Sequence, residues 1–199
     1  MKIFKFIKSK IIIIFLKILG IQINLSANIE KFPDLKIRGY AKNIKIGKVK
    51  ILGKIDLRNR ENGKIIIDDG CMIEGDCRFV AAREGLIKIG KGSGIATGAL
   101  INGGGNVFIG QNCILGARIA INASEHLTKK DKPIIQQGYT HRDVTIEDDC
   151  FFGANVVINK GAHIKKGSVV GAMSLVTKST EEYSINVGIP SKKIGEREN

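Results

Sequence analysis

The sequence has 199 residues, enough for one domain with a buried core, and 43% of them are hydrophobic, too many for a disordered basic tail. The formal net charge of +13 is unevenly distributed: residues 1–66 hold sixteen Lys and Arg against four Asp and Glu, whereas residues 67–199 hold sixteen against fifteen. The basic third has no RNA- or DNA-binding motif and lacks the interleaved aromatics of a stacking platform, so we expect no nucleic-acid partner. Twenty-four glycines without a three-residue period indicate many tight turns.

The first 23 residues contain five lysines and no acidic residue, and they predict a basic amphipathic helix. Their longest uninterrupted apolar run, residues 11–16, is much shorter than the roughly 20 residues that cross a membrane. One interpretation is a peripheral anchor in which residues 1–22 bind an anionic membrane surface. The alternatives are a helix that packs on the protein body or on a sister subunit, and a secretory signal. Lys17 within the apolar stretch and the lack of a clear cleavage site argue against the signal.

A six-residue repeat runs through the rest of the chain. An aliphatic or aromatic residue returns every sixth position at Ile146, Phe152, Ile158, Ile164, Val170 and Val176. The same frame occurs upstream at Ile89, Ile95 and Ile101, at Ile109, Leu115 and Ile121, at Ile67, Ile73 and Phe79, and more raggedly from Ile46 and Leu52. A six-residue unit suits a short strand followed by a corner, and three units close one triangular coil. The pattern predicts an all-β fold, a parallel β-helix whose stacked coils bury these side chains.

The repeat also divides the chain. We expect a helix over residues 1–23, a basic region with the first coils over 24–66, the main β-helix over 67–178, and a short tail or helix over 179–199. The frame breaks after Ile121 and resumes at Ile146 with nineteen extra residues. This break predicts an extruded loop at residues 124–143, which we interpret as functional in preference to a disordered insertion.

The four cysteines test this frame. Each lies four places after an inward position, in a slot for small buried side chains: Cys71, Cys77, Cys113 and Cys150. No C-x-x-C spacing suggests a metal or redox site. We therefore expect reduced, structural thiols, as is typical of a cytosolic protein.

Three segments resemble the hexapeptide-repeat acyltransferases: IEDDCFFGANVVINKG from Ile146, VVGAMSLVTK from Val169, and GIPSKK from Gly188. The similarity covers residues 44–194 and is greatest to the maltose, galactoside and polysaccharide O-acetyltransferases. It implies a left-handed coil, a homotrimer with active sites between subunits, acetyl-CoA as the acyl donor, and no required metal. Phe151 stands where the family usually has Trp, and Glu147 replaces a small residue.

The resemblance also implies the site residues. His126, at the start of the loop, matches the catalytic histidine and would act as general base on the acceptor hydroxyl. Glu125 would orient this imidazole or only solvate the loop. The CoA track would use small residues and, for the nucleotide phosphates, cations: Gly153, Ala154, Gly171, Ala172, Lys178, Ser191, Lys192 and Lys193. The glycines are also explained by turn geometry.

Four further residues are candidates for the acceptor side. Phe151 and His141 would contact the acceptor, and Asn102 would do so from an upstream coil, although a turn role is favoured for Asn102. His163 and His126 each lie five places after an inward residue, which would place both in one outward column. His163 would then be an acceptor wall or simply an exposed histidine. Backbone amides at corners such as Gly153 would stabilise the oxyanion.

The sequence thus predicts an acyl-CoA-dependent O-acetyltransferase that acts by direct attack on a sugar or a cell-envelope polysaccharide precursor. It would be cytoplasmic and peripheral on the inner membrane face. An N-acetyltransferase acting on an amino sugar is the alternative enzyme. A non-catalytic trimeric β-helix scaffold is the alternative from another class. The three histidines do not match the spacing of a γ-type carbonic anhydrase.

Overall fold

The computed structural model describes residues 2–198, which form one α-helix, Lys2–Ile18, followed by a solenoid of parallel strands. The solenoid has three sheets, here called faces 1, 2 and 3 in the order in which the chain meets them. Face 1 contains Gln22–Ile23, Ile44–Ile46, Lys64–Ile67, Leu86–Ile89, Val107–Ile109, Val144–Ile146 and His163–Ile164. Face 2 contains Asn28–Ile29, Lys50–Leu52, Met72–Glu74, Gly94–Ile95, Ile114–Leu115, Phe151–Phe152, Val169–Val170, Ser184–Val187 and Lys192–Glu196. Face 3 contains Asp34–Ile37, Ile55–Asn59, Cys77–Ala81, Leu100–Gly103, Ala120–Asn122, Val157–Ile158 and Leu175–Val176.

Each inward residue stacks on its equivalent in the next coil. On face 1 the parallel register joins one buried column of isoleucines: Ile23, Ile46, Ile67, Ile89, Ile109, Ile146 and Ile164. The residues of the six-residue frame from Ile67 onward are all buried, so the predicted repeat is confirmed. Three parallel faces per coil with this spacing are consistent with a left-handed parallel β-helix, as the sequence predicted.

One position of the early frame was wrong. Ile51 is fully buried and stacks on Ile73, whereas Leu52 is half-buried and pairs with Glu74. The corner between faces 1 and 2 is one residue shorter in this coil, because Ile46 and Ile51 are five positions apart while Ile67 and Ile73 are six apart. Stacked strands begin at Gln22, ahead of the first predicted repeat.

The C-terminal end is neither a tail nor a helix. Ser184–Val187 joins face 2 in parallel with the strand Val169–Val170, and Lys192–Glu196 then folds back antiparallel to it. Ser184 and Asn186 are buried and hydrogen-bonded to each other. Alternation of buried and outward side chains extends the strand pattern to this end of the chain.

The N-terminal helix covers the first coil. Ile12, Ile13 and Leu16 are fully buried against it, and the Ser9 hydroxyl accepts a 2.9 Å hydrogen bond from the Ile29 amide. The predicted alternative of a helix packed on the protein's own body is therefore confirmed for one side of the helix. Across residues 2–198, no helix has the length and apolar character needed to cross a membrane.

All four cysteines are buried and free, as predicted. The Cys71 thiol lies 3.2 Å from the carbonyl oxygen of Gly90, and burial raises its pKa to about 11. Burial likewise raises the pKa of Cys77. The Cys71 and Cys77 thiols remain protonated near neutral pH. All four cysteines serve as core side chains.

Candidate active site

The predicted loop is an ordered hairpin that projects from the corner between faces 3 and 1. Ser124–His126 pairs antiparallel with Tyr139–His141, and the core resumes at Val144. From Ile109 to Ile146 the chain advances 37 positions, against 18 from Ile146 to Ile164, which matches the predicted nineteen-residue insertion. The insertion therefore has a defined hairpin structure.

Hydrogen bonds hold both ends of the hairpin. At its base, Asp143 accepts from the backbone amide of Asn106 at 2.8 Å and from the side-chain amide of the same residue at 3.0 Å. At its tip, the Gln137 side chain bonds to the backbone amide and carbonyl of Lys129, at 2.7 Å each, and to the Lys132 carbonyl at 2.6 Å. These bonds at both ends restrain the hairpin and the side chains that it carries.

His126 lies on one side of this ribbon with its imidazole exposed. Tyr139 is its cross-strand partner, and the two ring centroids are 4.2 Å apart. Tyr139 also stacks on His141 at a centroid distance of 6.3 Å. The three rings form a continuous row, in which Tyr139 lies between His126 and His141.

Glu125 faces the other way. Side chains alternate along a strand, so Glu125 lies on the opposite side of the ribbon from His126. Its carboxylate forms an ion pair with the Lys160 ammonium, which comes from the next corner between faces 3 and 1. Glu125 was expected to orient His126 or only to solvate the loop; in the structure it ties the hairpin to the coil.

His141 is the inner member of the ring row. Its Nε2 is 3.3 Å from Arg83 Nη1, and its buried Nδ1 has no hydrogen-bond partner within residues 2–198. Burial, followed by the positive charge of Arg83, lowers the pKa of His141. A Cβ added to Gly104 would lie 2.7 Å from Nδ1, so the ring packs directly on this glycine. His141 is accordingly a neutral imidazole beside an exposed cation.

Asn102 is a strand residue and does not occupy a turn. It lies in Leu100–Gly103, and its side-chain amide donates a 2.9 Å hydrogen bond to Asn122. The favoured turn role was wrong because the three following glycines supply the corner. Asn102 and Asn122 stack on the outer surface of face 3, immediately before the hairpin.

His163 does not share a column with His126. Its parallel partner is Thr145, because the chain leaves the coil after Ala123 and the frame is lost across the insertion. His163 Nε2 lies 2.6 Å from Glu147 Oε1. Partial burial opposes ionisation of Glu147, but the Lys166 amide, His163 and Lys165 together lower its pKa. These residues form a separate polar cluster on face 1.

The small residues predicted for CoA lie at the corner between faces 2 and 3. Gly153 and Gly171 are one coil apart, each followed by an alanine, and Gly116 extends the column upstream. A Cβ on Gly153 would lie 2.5 Å from the Ala172 amide nitrogen, and one on Gly116 would lie 2.6 Å from the Gly153 carbonyl carbon. Coil stacking alone therefore requires these glycines, and their contact with CoA stays a prediction. Phe151 precedes this corner on face 2, and the residue is 44% exposed.

The predicted phosphate-binding group is spread over two places. Lys178 follows the last strand of face 3, toward the hairpin corner, whereas Lys192 and Lys193 lie on the terminal strand of face 2. The Lys193 ammonium is 2.6 Å from the carboxylates of both Glu181 and Glu196, and these hydrogen bonds raise its pKa. The Ser191 amide donates to the Leu175 carbonyl. Of the two C-terminal lysines, Lys192 is the one without an ion pair within residues 2–198.

Sequence reasoning missed Arg83, Tyr139 and Lys160. Tyr139 had a usable signal, since it alternates with His141 in a segment that follows Gly138, where the backbone φ of +81° suits a turn. Arg83 and Lys160 meet the hairpin from positions 58 and 35 residues away from their partners. No local pattern encodes those contacts.

Comparison with known proteins agrees with this architecture. The profile described as "Hexapeptide repeat of succinyl-transferase" matches residues 143–178. Over 155 residues the chain is 30% identical to a dTDP-4-amino-4,6-dideoxy-D-glucose acyltransferase of Escherichia coli, which covers 75% of this chain and 79% of that protein. This chain belongs to the hexapeptide-repeat acyltransferases.

Two solved structures illustrate the similarity. A hexapeptide-repeat acetyltransferase of Vibrio cholerae O1 biovar eltor, complexed with acetyl coenzyme A, has 27% identity and a TM-score of 0.53. The match covers 57% of this chain and 61% of that one, less than two thirds of its length. A mutant of AntD, an N-acyltransferase from Bacillus cereus in complex with dTDP-4-amino-4,6-dideoxyglucose and coenzyme A, has a TM-score of 0.61 over 93% of this chain and 89% of that chain. Its 22% identity makes this a likeness of fold.

Proposed function

We propose that this protein is an acyl-CoA-dependent acyltransferase that moves an acetyl group from acetyl-CoA to a hydroxyl group of a sugar. The observation that carries the proposal is the exposed imidazole of His126, held by an ordered hairpin and by Tyr139 in a chain of this family. An alcohol is a weak nucleophile until its proton is leaving, and an imidazole removes that proton near neutral pH. Family membership and the acetyl-CoA in the Vibrio cholerae relative support the choice of donor.

The transfer is a direct attack of the acceptor on the thioester, and one proton passes from the acceptor through His126 to the leaving CoA. The acceptor oxygen bonds to the thioester carbonyl carbon while His126 takes the hydroxyl proton. The resulting oxyanion collapses, the carbon–sulfur bond breaks, and the imidazolium returns its proton to the leaving CoA thiolate. The products are an acetyl ester and free CoA, and the histidine is regenerated. Backbone amides at a coil corner are the groups we expect to stabilise the oxyanion.

The acceptor side includes a cation. Arg83 is exposed beside His141 and has no carboxylate within ion-pair distance in residues 2–198. A guanidinium suits a phosphate or carboxylate group on the acceptor. The Escherichia coli relative is named for a dTDP-linked sugar, which contains a diphosphate. We therefore expect an acceptor that is anionic, with a sugar nucleotide as the first candidate and an envelope polysaccharide precursor as the second.

Amide formation is the second candidate reaction. The acceptor named for the Escherichia coli relative is a 4-amino sugar, so the nucleophile could equally be a neutral amine. His126 would then take the ammonium proton after attack. The same base and donor serve both reactions, and the product distinguishes them, because hydroxylamine cleaves an ester and leaves an amide intact.

The catalytic site requires a second subunit. The hairpin with His126 leaves the corner between faces 3 and 1, whereas the Gly153 and Gly171 corner lies between faces 2 and 3. The whole width of face 3 separates the two within one chain. A homotrimer in which the hairpin of one subunit reaches the glycine corner of the next would join them.

The direct test measures CoA thiol release from acetyl-CoA with a panel of nucleotide sugars and glycan fragments. We expect turnover with an anionic sugar, and His126→Ala should lower it by roughly 10² or more while CoA binding is retained. His163→Gln is the matched control, since this histidine bonds to Glu147 away from the hairpin, and its turnover should stay within about twofold. Retained activity in His126→Ala would remove this residue as the base. Absence of both turnover and CoA binding would favour the non-catalytic scaffold.

A further inference from the structure

The N-terminal end of the solenoid exposes an unusual amount of apolar surface. Eleven of the 22 exposed large hydrophobic side chains in the described residues lie within the first 32 positions. We call this group the basal surface: Ile3, Phe4, Phe6, Ile7, Ile11, Ile14, Phe15, Ile18, Leu19, Leu25 and Phe32. Exposed apolar side chains concentrated at one end of the molecule in this way mark an interaction site.

The orientation of the basal surface is fixed. Ile12, Ile13 and Leu16 are fully buried on the opposite side of the helix, and Ser9 is hydrogen-bonded to the first coil. Phe15 also packs edge-to-face on Phe32, with ring centroids 5.7 Å apart. The helix cannot rotate to hide Phe4, Phe6 or Ile18 without exposing its buried residues. The outward side chains are therefore available to a partner.

The charges around the basal surface are positive. The helix Lys2–Ile18 contains no acidic residue, and Lys8 and Lys17 are exposed. Phe4, Lys5, Lys8, Glu30 and Lys31 line a groove between the helix and the first coil. Glu30 is the one carboxylate there, and it lies 3.5 Å from the Lys5 ammonium. Aromatic and aliphatic side chains next to unpaired lysines are typical of helices that lie in a lipid interface.

We propose that the basal surface docks flat on a lipid bilayer rich in anionic headgroups. The 17-residue helix is about 25 Å long and carries lysines through its length, so it suits the plane of the interface. A second copy of the chain is the competing occupant, but it would place lysines against lysines, and juxtaposed like charges oppose association. Anionic headgroups instead pair with Lys8 and Lys17 while the phenylalanines enter the acyl boundary.

Co-flotation of the full-length protein with vesicles tests this docking. Vesicles of phosphatidylcholine with one part in about three phosphatidylglycerol should bind the protein, and pure phosphatidylcholine vesicles should bind it far less. Lys8→Gln and Lys17→Gln should each weaken binding about fivefold at low salt. The double variant Phe4→Ser/Phe6→Ser should weaken it at least about tenfold. Lys91→Gln and Ile194→Ser are controls at exposed positions elsewhere, and they should bind like the unaltered protein.

Several results would overturn the docking. Equal binding to neutral and anionic vesicles, or full binding by the lysine variants, would show that Lys8 and Lys17 do not pair with anionic headgroups. A doubled particle mass in sedimentation that Phe4→Ser/Phe6→Ser abolishes would assign the basal surface to a second copy. Acetyl transfer to a soluble acceptor should be unchanged in all of these variants, so the docking and the proposed function fail independently. If the phenylalanine variant unfolds, the lysine variants decide the question, because their side chains are exposed.

Discussion

The imidazole of His141 lies between a cation and a glycine, and this position determines which nitrogen carries its proton. Arg83 can only donate, so Nε2 accepts and the proton resides on the buried Nδ1. Arg83 itself adopts a left-handed backbone conformation, with φ of 57°, at the corner after the strand Cys77–Ala81. The Arg83 guanidinium is thus exposed to solvent at a corner with a strained backbone, and it lies against the neutral imidazole of His141.

Arg83→Gln should raise the acceptor KM about tenfold for an anionic acceptor and alter kcat much less, because binding precedes the chemistry. Arg83→Lys should recover part of this loss, and a neutral sugar acceptor should show no change in KM. Arg83→Gln should also raise the pKa of His141, because it removes the positive charge, while burial still holds that pKa below its ordinary value. Steady-state kinetics and an NMR titration of His141 measure the two effects. An unchanged KM for the anionic acceptor would show that Arg83 does not contact it.

Some residues of the candidate site could be identified from the sequence and others could not. His126 could be located because a break in a six-residue frame is visible along the chain, and the family motif then assigns its role. Tyr139 and Arg83 act through spatial neighbours that the frame does not define. Glu125 was expected to orient His126 or only to solvate the loop, because it is adjacent to His126 in the sequence, whereas strand alternation turns it toward Lys160.

The N-terminal helix is an integral part of the fold. Its composition predicted an amphipathic helix, but nothing in the sequence distinguished packing from surface binding, and the structure shows a helix that packs through one narrow side. The early coils were equally hard to define from sequence. Neighbouring inward residues of face 1 are 20 to 23 positions apart there, against 18 between Ile146 and Ile164, so the six-residue frame is lost where each of these coils returns from face 3 to face 1.

Leu16→Ala should lower the free energy of unfolding by about 2–5 kcal/mol, because it leaves a cavity between the helix and the first coil. Ile14→Ala, on the exposed side of the same helix, is the control and should change stability by less than about 0.5 kcal/mol. Urea denaturation followed by circular dichroism measures both. Equal small effects would mean that the helix does not pack on the coil in solution.

The two halves of the candidate active site lie on different corners of one solenoid, and this separation makes assembly testable. Sedimentation should give a particle of three chains. His126→Ala disables the hairpin, and Gly171→Trp should block the glycine corner, where even a Cβ would lie 2.7 Å from Val187 Cγ1. Trimers co-expressed from the two inactive variants in equal amounts should regain about a quarter of the sites, because such a site takes each intact part from a different subunit.

The thiol-release assay measures this recovery. Trimers of either variant alone should remain inactive, and separately folded trimers mixed without subunit exchange should remain inactive as well. A co-expressed mixture with no activity, obtained from subunits that still form trimers, would place the whole site within one chain. A stable monomer would leave the proposed site without a structure.

The stacking of coils also sets the distance between His126 and the helical end of the molecule. Neighbouring strands of a sheet are about 4.8 Å apart, and the hairpin leaves the fifth strand of face 3, so His126 stands roughly 20 Å from the helical end. In a cyclic trimer every solenoid points in the same direction, so all three helices lie at one end of the particle. The three helices would then bind one bilayer simultaneously. A sugar attached directly to a lipid headgroup would not reach the three His126 side chains at that height. An acceptor that extends well above the bilayer, or one that diffuses freely, would reach them.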